Sequence, residues 1–276
     1  MSLRILVPVD FSDLSKKAAV YGVGLAGKLS AEITLIHVHQ PPVSRNNPVY
    51  GLGAEMEDDI RKKTGIQMGE YYKDILNEPF TSCTGITKVG RPADEIALEA
   101  ARNESSLILM GTRRNGGLQQ WITGSRTAEV IEKTDHPVLV ISSDGPTKVP
   151  EKITFLTGCD GYDLIALQKL VRVARALEAT VFLVHVSTAD KNGDQQVFKD
   201  FSDRIKMQTG YEKIYSQVIK NHDVIHGLSS YLEVHHPDLL SFNVRKNVMK
   251  KRLLQKTFSE KISRIADLPL LIFHRP

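Results

Sequence analysis

Apolar and polar positions alternate along this chain in two recurring rhythms. The opening run Arg4-Ile5-Leu6-Val7-Pro8-Val9-Asp10 is aliphatic and ends on a carboxylate, which suits a buried parallel strand with a polar residue at its carboxyl end. From Ser12 to Ser30, Leu14, Ala18, Val23, Leu25, Ala26 and Leu29 recur at helical spacing. Ile33-Thr34-Leu35-Ile36-His37-Val38 is then a second strand. Strand, helix and strand within about 35 residues make a βαβ unit, so the two strands are parallel and the crossover right-handed.

After the Pro/Asn-rich loop Pro41 to Pro48, the pattern predicts a polar helix from about Glu55 to Asn77 and a third strand from Thr81 to Val89. Gly90-Arg91-Pro92 breaks the chain before a helix from Ala93 to Ala101. Leu107 to Met110 and Val138 to Ile141 are the fourth and fifth strands. This alternation predicts an open, doubly wound α/β sheet.

The pattern then starts again. Ser142 to Pro150, with Asp144-Gly145-Pro146, reads as a linker, and beyond it Thr154 to Asp160 mirrors the first strand and its Asp10. Val181 to Val186 mirrors the strand ending His37-Val38, with 27 residues from Asp10 to His37 and 25 from Asp160 to His185. Nearer the ends a shift of 132 needs no gap: Leu107-Ile108 falls on Leu239-Leu240, Arg113 on Arg245, Asn115 on Asn247, Asp135 on Asp267 and Pro137 on Pro269. The reading is two tandem doubly wound, Rossmann-like or flavodoxin-like domains, over residues 1–144 and 150–276, forming a pseudo-dimer. Val138 to Ile141 and Leu270 to Phe273 are short, apolar and near the end of their copy, and an unpaired edge strand of that composition would be an association hazard.

The length of 276 residues agrees with two domains of ordinary size. A composition 41% hydrophobic and 25% charged excludes disorder and membrane classes. No apolar run reaches the roughly 18 residues of a membrane span, and Met1-Ser2-Leu3-Arg4 does not read as a secretory signal. The expected location is cytoplasmic. Cys83 and Cys159 are the two cysteines, without CxxC spacing, and are expected to be reduced. A net charge of +4 argues against a nucleic-acid partner held by phosphate contacts.

Chemistry concentrates after the fourth strand. Leu107 to Met110 runs into Gly111-Thr112-Arg113-Arg114-Asn115-Gly116-Gly117, and Gly124-Ser125 opens the helix Arg126 to Lys133. Glycines at a strand end let backbone approach a ligand, and a helix N-terminus is an anion site whose natural occupant is phosphate. In the second half that loop reads Asn243-Val244-Arg245-Lys246-Asn247, with Lys256-Thr257 in place of Gly124-Ser125. Its five basic residues between Arg245 and Arg252 read as a solvated face or an anion patch. His235-His236 lacks further ligands at metal spacing. No Ser/His/Asp set, Cys nucleophile or paired carboxylates stand out, so no catalytic residue is assigned.

Gly111, two residues, position 114, nine residues and then Gly124-Ser125 resembles the nucleotide-binding signature of the universal stress proteins, Gly-x2-Gly-x9-Gly followed by Ser or Thr. Ile5 to Ser12, the strand ending His37-Val38, and His136-Pro137-Val138-Leu139-Val140 are similar to that family in sequence and order. The resemblance spans nearly the whole chain, weakly in its second half. It implies a stress-response protein that binds an adenine nucleotide, ATP (with Mg) or AMP, in the first domain, non-catalytic or weakly ATP-hydrolysing. Asp10 and Val38 would hold the nucleoside and Gly111, Gly124, Ser125 and Arg126 the phosphates, with Pro8, Val9, Met110, Arg113 and Arg114 also in the nucleotide site. The resemblance further implies pairing through the last strand of each copy, Val138 to Ile141 antiparallel to Leu270 to Phe273. The second domain would be a degenerate copy for structure or an unknown protein partner. Arg114 stands where the family has glycine, and either crowds the phosphates or pairs with them. Two other classes stay open: a nucleotide-dependent α/β transferase, and a purely protein-interacting module with no small ligand.

Overall fold

The computed structural model describes residues 3–41, 54–75, 83–112, 125–142, 148–188, 194–245 and 268–275. It divides into two compact units. The first comprises the described residues up to Gly111 together with Ser125–His136, and the second the described residues from Pro137 onward.

In the first unit the chain runs β1 (Arg4–Pro8), α1 (Asp13–Leu29), β2 (Glu32–His39), α2 (Ala54–Ile75), β3 (Cys83–Val89), α3 (Pro92–Arg102), β4 (Leu107–Thr112) and α4 (Ser125–Lys133). All the strands are parallel: β1 pairs with β2 and with β4, and β2 pairs with β3. Ile5, Leu6, Val7, Ile33, Leu35, Ile36, Ile108 and Leu109 are buried along these strands, the near-continuous apolar composition expected of strands covered on both faces. Helix α1 starts where Ser12 caps it, accepting from the Ser15 N–H, and ends at Ser30 in the left-handed region, φ 49°. It lies close to the sheet at Gly22, where a Cβ would come within 2.9 Å of Leu109 Cδ2.

The second unit repeats the order with β5 (Val138–Ser142), β6 (Lys152–Leu156), α5 (Gly161–Ala176), β7 (Thr180–Ser187), α6 (Asp194–Thr209), β8 (Ile214–Lys220), α7 (Val224–His235), β9 (Leu239–Arg245) and β10 (Leu270–Arg275). Strand β6 lies between β7 and β9, β7 pairs with β8, and β9 with β10, all parallel. Strand β5 runs antiparallel to β10 in the register Leu270 to Val140, Leu271 to Leu139 and Ile272 to Val138. The pairing of Val138–Ile141 with the Leu270 strand expected from sequence is therefore present, and it places β5 in the second unit.

Strand register shows how the repeat aligns. Ile5 pairs with Leu107 and Ile153 with Leu239, which supports the shift of 132 near the ends. At the start the match differs from the expectation. The N–H of Val9 donates to Ile36 O and that of Thr157 to Val184 O, and Phe11 (φ 61°) and Cys159 (φ 64°) share the left-handed conformation. The shift there is 148, from Val9 to Thr157 and from His37 to His185. The counterpart of Asp10 is Gly158, and Asp160 is the counterpart of the helix cap Ser12. Asp160 accepts from the N–H groups of Tyr162 and Asp163 at 3.0 Å each, as an N-cap residue does.

Candidate functional site

Both units have a topological switch point, the place where successive crossovers leave the central strand in opposite directions and where ligands of open α/β sheets bind. In the first unit it lies at the carboxyl ends of β1 and β4. Pro8 ends β1 with no N–H to extend the ladder. Val9 is buried and Asp10 exposes its carboxyl, with 52% of the side chain open. Asp10 Oδ1 accepts from Ser12 Oγ at 2.5 Å and from the Ser12 N–H at 3.2 Å, while the Asp10 N–H donates to Ser15 Oγ at 3.3 Å. Oδ2 faces the Arg126 guanidinium, 3.9 Å from Nη1. Burial pushes this carboxyl up, but the hydrogen bonds from Ser12, with help from Ser15 and the Arg126 charge, outweigh burial and hold it below its ordinary value of 3.8.

A cluster on α1, α2 and β2 fixes this corner. Ser15 Oγ donates to Ser12 O at 2.9 Å, so at 3.2 Å the Tyr71 hydroxyl is the donor to Ser15. Burial pushes the Tyr71 phenol up to about 12, against the Ser15 hydrogen bond and with the nearby Asp10 charge adding to the rise, so it keeps its proton. His37 Nδ1 donates to Val9 O at 2.9 Å. The Phe11 ring stacks on His37 at 4.6 Å and meets Tyr71 edge-on at 5.5 Å. The turn after β1 is thus locked while the Asp10 carboxyl stays presented.

On the facing strand, Met110 is buried and Gly111 lies against α1. A Cβ at Gly111 would stand 3.0 Å from both Leu14 Cγ and the Leu14 carbonyl oxygen, so the close approach of β4 to the start of α1 requires glycine. Val38, in register with Lys88, lies near the end of β2. Ser125 opens α4, and Arg126 follows in its first turn with 59% of its side chain exposed. The structure therefore brings Asp10, Arg126 and the end of β1 together. Arg113, Arg114 and Gly124 lie outside the described residues.

The same place in the second unit is built differently. Gly158 carries no carboxylate, and Asn243, the counterpart of Gly111 under the shift of 132, carries a side chain. Asp163, at the position of Ser15, is fully buried at 0% exposure. Its Oδ2 accepts from Gly158 N–H at 2.7 Å and Thr157 Oγ1 at 2.9 Å, and its Oδ1 from Asn243 Nδ2 at 2.7 Å. This network joins the end of β6, the start of α5 and the end of β9. Sequence reading missed Asp163, Ser15 and Tyr71. The signal available for the first two was their shared place three residues after a capping residue.

The other candidates resolve simply. His185 Nδ1 donates to Thr157 O at 3.0 Å, as His37 does to Val9 O, so both histidines tie neighbouring strands. His235 is the last residue of α7 and stacks on Tyr231, and His236 caps that helix. No group of three or more His, Cys, Asp or Glu able to hold a metal occurs among the described residues. Cys83 and Cys159 are free thiols. The basic run beyond Arg245 and the Lys256-Thr257 step lie outside the described residues. No helix of the described residues is long and apolar enough to cross a membrane.

Comparison with known proteins agrees with this architecture. The universal stress protein YxiE of Bacillus subtilis (strain 168) is 33% identical over 144 residues, covering 50% of this chain and 97% of that protein. The universal stress protein MJ0531 of Methanocaldococcus jannaschii is 30% identical over 142 residues, covering 50% of this chain and 81% of its own. In fold, the crystal structure of a universal stress protein from Archaeoglobus fulgidus DSM 4304 matches 99% of this chain and 98% of its own, with a TM-score of 0.76 at 18% identity. The family model of the universal stress protein family matches residues 1–142, and the chain belongs to that family.

Proposed function

We propose that the first unit binds one adenine nucleotide, ATP with Mg or AMP, and that the protein acts in a stress response as a binding protein with no or slow ATP hydrolysis. The observation that carries this reading is the contrast at the two switch points: Asp10 is presented and Gly111 kept bare in one, while Asp163 is buried and bonded to Asn243 in the other. Asp10 would take the ribose hydroxyls through Oδ2, beside the backbone of Pro8, Val9 and Val38. Met110 and Gly111 form the wall at the end of β4. Arg113, Arg114, Gly124, Ser125 and Arg126 would receive the phosphates, with the Arg114 guanidinium as a phosphate partner. Residues 1–144 are the nucleotide-binding domain in this reading, and 150–276 a structural or partner-binding copy.

A transferase reading would instead require ATP turnover that disappears in Asp10→Ala and Ser125→Ala. Nucleotide content of the freshly purified chain, followed by calorimetric titration with Mg-ATP and AMP on wild type and Gly124→Arg, tests the proposal. Stoichiometric nucleotide, or one site per chain that Gly124→Arg removes, supports it. The absence of both bound nucleotide and binding heat refutes it in favour of a protein-interacting module.

A further inference from the structure

The Asp10 carboxylate has two unlike oxygens. Oδ1 is taken by both donors of Ser12, whereas Oδ2 faces, among the described residues, the long, exposed side chain of Arg126 across 3.9 Å. A ribose hydroxyl approaching Asp10 has to come to Oδ2 and compete with that guanidinium. Arg126 sits in the first turn of α4, so once displaced it can swing from the nucleoside end toward the phosphate end of the same crevice. The exchange has opposite consequences for two ligands. A bare nucleoside takes the carboxylate from Arg126 and returns only water, while a nucleotide returns a phosphate, with which guanidinium pairs strongly.

We propose that the Asp10–Arg126 pair is a displaceable latch that favours ligands carrying a phosphate group, so that the first unit prefers adenine nucleotides to adenosine. This rests on the nucleotide-binding reading of the first unit. Magnitudes set what to expect. An exposed ion pair at this separation costs an incoming nucleoside no more than about fivefold in affinity. A guanidinium-phosphate contact contributes about tenfold or more. Selectivity therefore comes mostly from the gain on the phosphate side, with a smaller penalty on the nucleoside side that only a latch produces.

The test titrates the full chain, wild type and Arg126→Ala, with AMP and with adenosine, and follows the Asp10 carboxyl by carbon-13 NMR in the ligand-free proteins. Wild type should prefer AMP by at least about tenfold. Arg126→Ala should weaken AMP about tenfold, tighten adenosine by about two- to fivefold, and raise the titration midpoint of Asp10. Weaker AMP with unmoved adenosine would make Arg126 a plain phosphate contact and overturn the latch, as would equal weakening of both ligands or an unmoved Asp10. Those results leave the nucleotide site itself standing. A wild type that binds neither ligand overturns both.

Discussion

The carboxyl ends of β1 and β4 and the carboxyl ends of β6 and β9 are the same place in two copies of one fold, and they spend their polar groups in opposite ways. In the first unit Ser12, Ser15 and Tyr71 brace the turn from beneath, and Asp10 is left presented to the crevice. In the second, the carboxylate has moved five residues along the repeat to the buried position Asp163, where strand end, helix start and facing strand all donate to it. Gly111, which lets β4 pack against Leu14 in the first unit, is replaced in the second by Asn243, whose side chain donates to Asp163. A carboxylate bonded from three sides is a strut, whereas one bonded on a single oxygen retains an acceptor for a ligand.

Cutting the strut should give the largest effect. Asp163→Ala leaves the Thr157 hydroxyl, the Gly158 N–H and the Asn243 amide without their acceptor, and should cost about 3 kcal/mol of stability. Ser15→Ala, at the matching site, should cost about 1 kcal/mol. Denaturant unfolding of both variants measures the difference; equal losses would refute the contrast.

Next in size is a transplant of the second unit's residue into the first. Gly111→Asn places a Cβ 3.0 Å from the Leu14 carbonyl and Leu14 Cγ, so it should destabilise by about 1–3 kcal/mol and remove nucleotide binding. Calorimetry beside thermal melting reads both consequences.

A smaller effect distinguishes the two carboxyl positions by pH. The Asp10 carboxyl is held below its ordinary value of 3.8, so its contribution to stability is present above that value and is lost as pH falls through the lowered one. Asp10→Asn should therefore lower stability modestly at neutral pH and flatten its decline below about pH 4, the two proteins converging as Asp10 becomes protonated. Unfolding midpoints from pH 7 to pH 3 test this, and an unaltered acid slope would contradict it.

The smallest expected effect concerns Cys159, which stands where the first unit has Phe11. Burial, then the nearby charges of Asp163, Asp160 and Asp194, push its thiol up to about 11, against the Thr157 hydrogen bond. At pH 8 about one molecule in a thousand carries the thiolate, so alkylation should be at least about thirtyfold slower than for a free thiol and rise through pH 10 to 11. Fast labelling of the folded chain at pH 8 would show an open crevice in the second unit.

Much of this fold was legible because its signals are local. Buried parallel strands such as Ile33 to Val38 are nearly all apolar, and caps such as Ser12 mark helix starts within a few residues. Register was harder. Asp160 resembles Asp10 in sequence because aspartate serves both as a strand-end ligand and as a helix cap, and only the bonds of Val9 and Thr157 to the neighbouring strands separate those roles. The conserved spacing from Ile5 to His37 and from Ile153 to His185 held the gapless shift of 148, which the acidic residues masked. The Asp163–Asn243 bond joins residues 80 positions apart, and the approach of Arg126 to Asp10 likewise depends on how β1 and α4 are placed. No local pattern encodes either.

One unit presents a carboxylate to a ligand and the other buries its own, and calorimetric stoichiometry tests that contrast most directly. Titration of Mg-ATP or AMP into the wild-type chain and Gly111→Asn should give one site per chain in the first and none in the second. Two sites per chain, or one that survives in Gly111→Asn, would contradict it.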